Sequence, residues 1–347
     1  MSLTIVAGGQ YGGEGKGLIS TAISRWDNVD ILVKTGGPNS AHSYHFQNTP
    51  YTFRMIPAAS ALGQSVIVFP PGVLIYPEQL RKELQTIQFK GKILIDPKAG
   101  IIGQKHISAQ KQDEFYEVGG STFTGTGAAS AARAARRLDL VKDGEMAQLF
   151  GNGFQFEVAD TQQFLANQYH LGKKILVEGC QGFGLSNYHG EYPYVSSRDN
   201  TVNGLMSQVG LGSRFVDTTV LVIKCFPTRN QLGDGSLPHE LDIAFVKENK
   251  DVLEEFGGGS YNGGNQLRRV GMFDRTIINK AIRANSPDYI AITGLDKLSE
   301  LLKYPMIRDH YRAESIHEFV KEVEKVFKLP VSIESHGGSV EDVRDLR

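Results

Sequence analysis

Cysteine is scarce in this chain of 347 residues: it has two, and a single tryptophan. Cys180 and Cys225 stand far apart in apolar surroundings, which excludes a disulfide-stapled scaffold and reads as two reduced core residues of a cytosolic enzyme. Excess charge of either sign is also missing. Charged residues make up 22% and the formal net charge is −1. The bulk attraction that draws a basic protein to nucleic acid or to an anionic membrane is therefore absent, although a local basic pocket is not excluded. No apolar run is long enough for a membrane span, and the N-terminus lacks a basic segment followed by an apolar one. The expectation is a soluble, unprocessed, cytoplasmic protein with neither nucleic acid nor membrane as a direct partner. Internal repeats and low-complexity linkers are absent too. The length admits one large domain with a real core, and residues 1–347 read as a single domain.

What is present is alternation of strand and helix patterns. Leu3 to Ala7, Asp30–Lys34, Ser65–Phe69, Ile93–Ile95, Lys174–Glu178, Val220–Cys225 and Asp288–Thr293 read as strands, many nearly continuous in Val, Ile and Leu. Such runs fit a sheet covered on both faces. Helical patterns lie between them, including Pro77–Thr86, Ala128–Arg137 and Ser315–Val326. The expected fold is α/β, with a mostly parallel central sheet and helices on both faces. The Gly- and Asn-rich stretch Phe256–Gln266 disfavours regular structure and suits a ligand-gripping loop.

Glycine is concentrated where chemistry is expected. Gly8-Gly9-Gln10-Tyr11-Gly12-Gly13-Glu14-Gly15-Lys16-Gly17 joins the first strand to a helical segment, Leu18–Ile23. Strand, glycine-rich loop and helix make a phosphate cradle: backbone N–H groups approach the oxygens, the helix N-terminus is partly positive, and Lys16 adds a full charge. The loop is P-loop-like but not a Walker loop, because Gly17 stands where a magnesium-binding Ser or Thr would follow the lysine. Taken alone, it also admits the lesser reading of a glycine-rich turn that binds nothing.

The loop resembles the Gly-Asp-Glu-Gly-Lys-Gly signature of the adenylosuccinate synthetases, and further segments agree in order. Gly36-Gly37-Pro38-Asn39-Ser40-Ala41-His42-Ser43 resembles that family's Gly-Gly-x-Asn-Ala-Gly-His-Thr. Gly125-Thr126-Gly127 with Ala135-Arg136-Arg137, then Glu178-Gly179-Cys180-Gln181-Gly182, resemble two more. His189 to Ser197, Thr228-Arg229 with Gly233 to Glu240, and Arg268 to Asp274 complete the set, which spans Thr4 to about Asp296. No single member is specific; the ordered set is.

The resemblance implies a ligase that joins L-aspartate to a purine nucleotide through a 6-phosphoryl intermediate, with Mg2+ as cofactor. It implies a donor-nucleotide site at Gly12, Gly13, Glu14, Gly15, Lys16, Gly17, Ala41, His42, Ser43, Gly294 and Asp296. The acceptor nucleotide would be held by Asn39, Ser121, Thr122, Gln181 and Ser196, with Arg136 reaching across a homodimer interface. Asn262, Gln266 and Arg268 would grip aspartate, and the carbonyls of Gly13 and Ala41 would face the metal. Lys16, His42 and Gln181 would be catalytic: Lys16 and a His42 imidazolium on the transferring phosphoryl, Gln181 on the oxygen that receives it. On residue type alone, a histidine in a polar loop is more often a surface group and an isolated Ser or Thr more often orders its loop.

The departures from the family pattern carry information. Gly13 replaces the family's Asp, which serves as base and magnesium ligand. Guanine has a 2-amino group beside N1 that a carboxylate would crowd, and glycine removes both bulk and charge. Gln266 replaces an arginine that faces the ribose, and Gly294 replaces a lysine that stacks on guanine of the donor. This pattern resembles the phage 2-aminoadenylosuccinate synthetases, which act on dGMP to supply diaminopurine for DNA, and implies ATP or dATP as donor. A phage-encoded chain would work in the host cytoplasm. Two rivals remain: an ordinary adenylosuccinate synthetase using IMP and GTP, and a catalytically silent nucleotide-binding regulator, which the loss of the Asp favours.

Overall fold

The computed structural model describes residues 2–63, 65–113, 121–142, 144, 146, 153–230, 235–253, 256–257 and 266–347. In chain order the strands longer than two residues are β1 (Ser2–Gly8), β2 (Ile31–Lys34), β3 (His42–Phe46), β4 (Thr49–Phe53), β5 (Val66–Phe69), β6 (Lys92–Ile95), β7 (Gln155–Val158), β8 (Lys174–Glu178), β9 (Thr218–Lys224), β10 (Tyr289–Thr293), β11 (Val331–Ser335) and β12 (Val343–Asp345). Ten of them form one sheet, in the order β12-β11-β10-β9-β1-β8-β2-β5-β6-β7. Every pair is parallel except β11 with β12. The remaining two, β3 and β4, pair as an antiparallel hairpin.

The continuous apolar strands are explained by cover on both faces. Successive side chains of a strand point to opposite faces. Thus Leu32 and Leu176 join one core with Leu18, Ile19, Ala22 and Ile23 of helix α1 (Lys16–Asp27). Their neighbours Ile31, Val33, Ile175 and Val177 join another with Val202, Leu205, Met206 and Val209 of helix α2 (Val202–Val209). A third core packs Leu221, Ile223, Ile290 and Ile292 under helices α3 (Arg275–Asn285), α4 (Leu295–Leu301) and α5 (Ile316–Phe327). Side chains start most of these helices: Thr201, Asp274 and Ser315 each accept a first-turn N–H. Helices α1 and α4 are different: their caps are Gly15, at φ 90°, and Gly294, and no side chain caps either.

Four expectations are corrected. The helix expected over Ala128–Arg137 spans Thr126–Ala134, and Arg136 lies past its end at φ 59°. The sheet has three more strands, β7, β11 and β12, where exposure and burial alternate or exposure dominates and no continuous apolar run marks them. His42 opens a strand and is buried, not set in a polar loop. The ends of the Gly- and Asn-rich stretch pair, Phe256–Gly257 with Gln266–Leu267; Asn262 lies outside the described residues. Both cysteines are buried and free. Among the described residues, no helix is long and apolar enough to cross a membrane.

Candidate active site

Parallel strands deliver the loops that follow them to one edge of the sheet, and ligands of open α/β sheets bind there. The loops after β1, β2, β8, β9 and β10 meet at that edge and wall a cavity of about 1120 Å³. That exceeds the roughly 300–1,000 Å³ of a pocket for one drug-sized ligand. From the β1 loop it is lined by Gly12 to Gly17, and from the β2 loop by Asn39, Ala41, His42 and Ser43. Ser121, Thr122, Gln181, Ser196, Arg268, Gly294 and Asp296 complete the residues expected there. Arg136 does not line it; that side chain is exposed. For Gln266 only the backbone is described.

The glycine-rich loop is held open by its own acid. Gly12 and Gly13 take φ of 87° and 68°, a left-handed conformation that glycine adopts without a Cβ penalty. The Glu14 carboxylate turns inward, accepting from the N–H groups of Gln10 at 3.1 Å and Gly12 at 2.8 Å and from Lys16 Nζ at 2.6 Å. Glu14 is 1% exposed and Lys16 4%. The Glu14 carboxylate thus orders the loop and orients the lysine. The uncapped start of α1 leaves backbone donors directed at the cavity edge. The structure also explains the missing Walker hydroxyl. A Cβ on Gly17 would lie 2.6 Å from His42 Cβ, so glycine is what lets the histidine press against α1.

His42 belongs to a buried charge cluster. Its Nδ1 is 2.7 Å from Glu178 Oε1, and the same oxygen accepts from Lys34 Nζ at 3.0 Å. The other Glu178 oxygen accepts from the Ala58 N–H at 2.8 Å. Burial pushes the imidazole below its ordinary pKa; Glu178 pulls the other way and Lys34 adds to the lowering. Burial disfavours the Glu178 carboxylate, but His42 and Lys34 outweigh it and hold it well below the usual range. Glu178 is thus an ionised partner shared by the His42 ring and the Lys34 ammonium; for the expected imidazolium, burial and Lys34 oppose the charge and Glu178 favours it. Nε2 is left facing Ser40 Oγ at 3.3 Å. Lys34 and Glu178 carried no assigned role in the sequence, since a lysine ending an apolar strand looks like a solvated edge. The only signal was Glu178 within a quoted motif.

Gln181, just beyond β8, has φ 61° and donates from Nε2 to the Asn39 carbonyl at 3.4 Å. A Cβ on Gly12 would be 3.9 Å from its Oε1, so the glycine loop and the amide are neighbours. Thr122, Thr124 and Thr126 form a series of hydroxyl contacts at 3.3 and 2.9 Å. Arg268 reaches over Gly13: a Cβ there would lie 2.5 Å from Nη1, which also donates to Thr228 Oγ1 at 3.3 Å. Gly294 caps α4 at φ 76°, and Asp296 is in its first turn. Among the described residues, no group of His, Cys, Asp and Glu is arranged to hold a metal by itself.

A phosphate cradle, a buried His–Glu–Lys cluster and a polar wall of amides and hydroxyls, at the carboxyl edge of a parallel sheet, define a nucleotide-binding α/β enzyme. Comparison narrows the class. The family model described as adenylosuccinate synthetase matches residues 5–155 and 140–347. The adenylosuccinate synthetase of Methanocaldococcus jannaschii is 35% identical over 353 residues, covering 100% of this chain and 97% of that protein. The one from Archaeoglobus fulgidus is 33% identical over 349 residues, covering 100% and 99%. The chain belongs to the adenylosuccinate synthetase family, a family of carbon–nitrogen ligases. Its C-terminal end, which the quoted motifs do not reach, lies within the match. In fold it is similar to fully ligated adenylosuccinate synthetase from Plasmodium falciparum, with a TM-score of 0.84, 20% identity and full coverage of both chains. It is also similar to the cyanophage S-2L succinoaminodeoxyadenylate synthetase bound to dGMP and dATP, with a TM-score of 0.80 and 22% identity, covering 99% and 95%.

Proposed function

We propose that this ligase joins L-aspartate to dGMP, with ATP or dATP as phosphoryl donor. The guanine 6-oxygen attacks the terminal phosphorus of the donor, the bond to the β-phosphate oxygen breaks and the nucleoside diphosphate leaves, and N1 gives its proton to water. The aspartate amino nitrogen then attacks C6 and the phosphate leaves. The observation that carries this reading is the glycine at position 13, next in the loop to Gly12, whose added Cβ would lie 3.9 Å from Gln181 Oε1. If Gln181 holds the 6-oxygen, the N1 and 2-amino edge of the base runs along this loop, and no carboxylate stands there to crowd it. The cyanophage protein, whose structure holds dGMP and dATP, supports the same choice by likeness of fold.

The site supports these roles. Backbone N–H groups of Gly12 to Gly17 and Lys16 take the donor phosphates, and charge that develops in transfer meets Lys16 and His42. With Nδ1 engaged by Glu178, His42 has Nε2 left for the phosphoryl group. Asn39, Ser121, Thr122 and Ser196 hold the acceptor, Gly294 and Asp296 face the donor base, and Arg268 binds an aspartate carboxylate. Glu14 does not serve as the N1 base, since its carboxylate is bonded within the loop. Magnesium fits as an ion carried mainly by substrate oxygens and supplying charge on the phosphates, with the Gly13 and Ala41 carbonyls as the protein's share.

The second reading, an ordinary adenylosuccinate synthetase acting on IMP with GTP, is favoured by the identity to archaeal relatives of that name. Phosphate release in the presence of aspartate, across dGMP, GMP and IMP and across ATP, dATP and GTP, separates the two. The expected result is the highest kcat/KM with dGMP and ATP or dATP. Preference for IMP with GTP establishes the second reading, and no release with any pair indicates a silent nucleotide binder.

A further inference from the structure

Behind Gln181 and Ser196 lies a guanidinium that none of these roles uses. Arg198 Nη2 is buried and has no hydrogen-bond partner among the described residues. A charged donor that gives up water and gains no acceptor is costly, so the arrangement calls for an anion. Two glycines make room for it: a Cβ on Gly36 would lie 3.2 Å from Nη1, and one on Gly37 3.2 Å from Nη2. Among the described residues, no carboxylate is ion-paired with it. Asp199, the next residue, is engaged by Ser186 and Thr201. Cys180 donates its thiol proton to the Thr35 carbonyl at 2.8 Å. Burial lowers the Arg198 pKa; Cys180 pulls the other way, and the nearby like charge of Arg133 adds to the lowering. Asn39, Gln181, Ser196 and Ser197 share a small cavity with Arg198, and all four also line the main one.

We propose that Arg198 is a same-chain cation for the acceptor's 5′-monophosphate, gripping it where Asn39 and Ser196 meet. A planar guanidinium donates two N–H groups to two phosphate oxygens, a geometry that lysine does not match. The assignment rests on the proposed nucleotide-ligase function.

Its test separates phosphate from base. In wild type and Arg198→Met, the KM for dGMP is compared with the inhibition constant of deoxyguanosine, which lacks the phosphate; IMP and inosine form a parallel arm. The expected result is a KM for the monophosphate raised by about thirtyfold, the size of one lost charge-assisted contact, with the nucleoside constant and the KM for ATP unchanged. An equal loss for nucleotide and nucleoside, or no loss, overturns the assignment, and a raised KM for ATP alone moves the contact to the donor. Should Arg198→Met fail to fold, Arg198→Lys decides: a few-fold rise confined to the monophosphate supports the contact, and equal rises overturn it. Wild-type turnover of IMP but not dGMP would sink the acceptor reading while the inosine arm still tests Arg198.

Discussion

In the proposed reaction Gly13 is the residue on which substrate choice turns, and the structure changes what its replacement is expected to do. The nearest atom to a Cβ at that position is Arg268 Nη1, at 2.5 Å, with Thr228 Oγ1 at 3.3 Å. A new carboxylate in Gly13→Asp would therefore meet a guanidinium before it meets the base. An Asp–Arg pair at that distance takes Arg268 away from the aspartate substrate. The φ of 68° adds a backbone penalty, about 1 kcal/mol for a residue with a side chain. We expect Gly13→Asp to raise the KM for aspartate by about tenfold, a loss of roughly 1.4 kcal/mol. Use of dGMP should fall as well. Titrating aspartate at saturating nucleotides measures this. An unchanged aspartate KM with preference switched to IMP would place the new side chain against the base instead.

Three elements assemble the His42 cluster: Lys34 ends β2, Glu178 ends β8 and His42 opens β3. β2 and β8 are adjacent parallel strands in which Lys34 is paired with Glu178, so the ion pair follows from register. Burial and the Lys34 charge both hold the His42 pKa down. In Lys34→Met the second cause is gone, so the His42 pKa should rise toward the ordinary value near 6.5. An NMR titration of the imidazole in both proteins tests this; an unchanged or lower pKa would remove Lys34 from the account. Stability carries the same sign. His42 and Glu178 are both depressed in the folded state, so their contribution is complete above the unfolded values. It is lost as pH falls toward the folded ones, His42 first and Glu178 in stronger acid. Urea midpoints should therefore hold above about pH 7 and decline in acid. None of this could be read from the sequence, because Lys34 and Glu178 are 144 residues apart and nothing local announces their pairing. The inner strands were legible, since burial on both faces leaves a continuous apolar run. The edge strands were not, because β7 alternates exposed and intermediate residues without a buried one.

At the scale of the whole molecule, the sequence identified most of the cavity wall, because phosphate-binding loops have a composition that physics constrains. It did not reveal how that wall is wired. Gly17 could be noted as a missing hydroxyl but not as the space His42 occupies, and Arg198 stood in the chain without any mark. Arg136 is the reverse case: it was identified, yet it is exposed, past the end of its helix, and absent from its own chain's cavity. An arginine so placed serves the site only if it reaches a neighbouring subunit's cavity. We therefore expect a homodimer in which each site combines Lys16 of one chain with Arg136 of the other. Lys16→Ala and Arg136→Ala chains should each be nearly inactive alone. Mixed at random, half the dimers are hybrids, and each hybrid has one site with both native groups and one with neither. Recovery should approach about a quarter of wild-type activity for a two-fold dimer. Sedimentation at the assay concentration checks the assembly. Full activity of Arg136→Ala alone, or no recovery in a mixture shown to exchange subunits, would leave the acceptor site complete within one chain, with Arg198 as its cation.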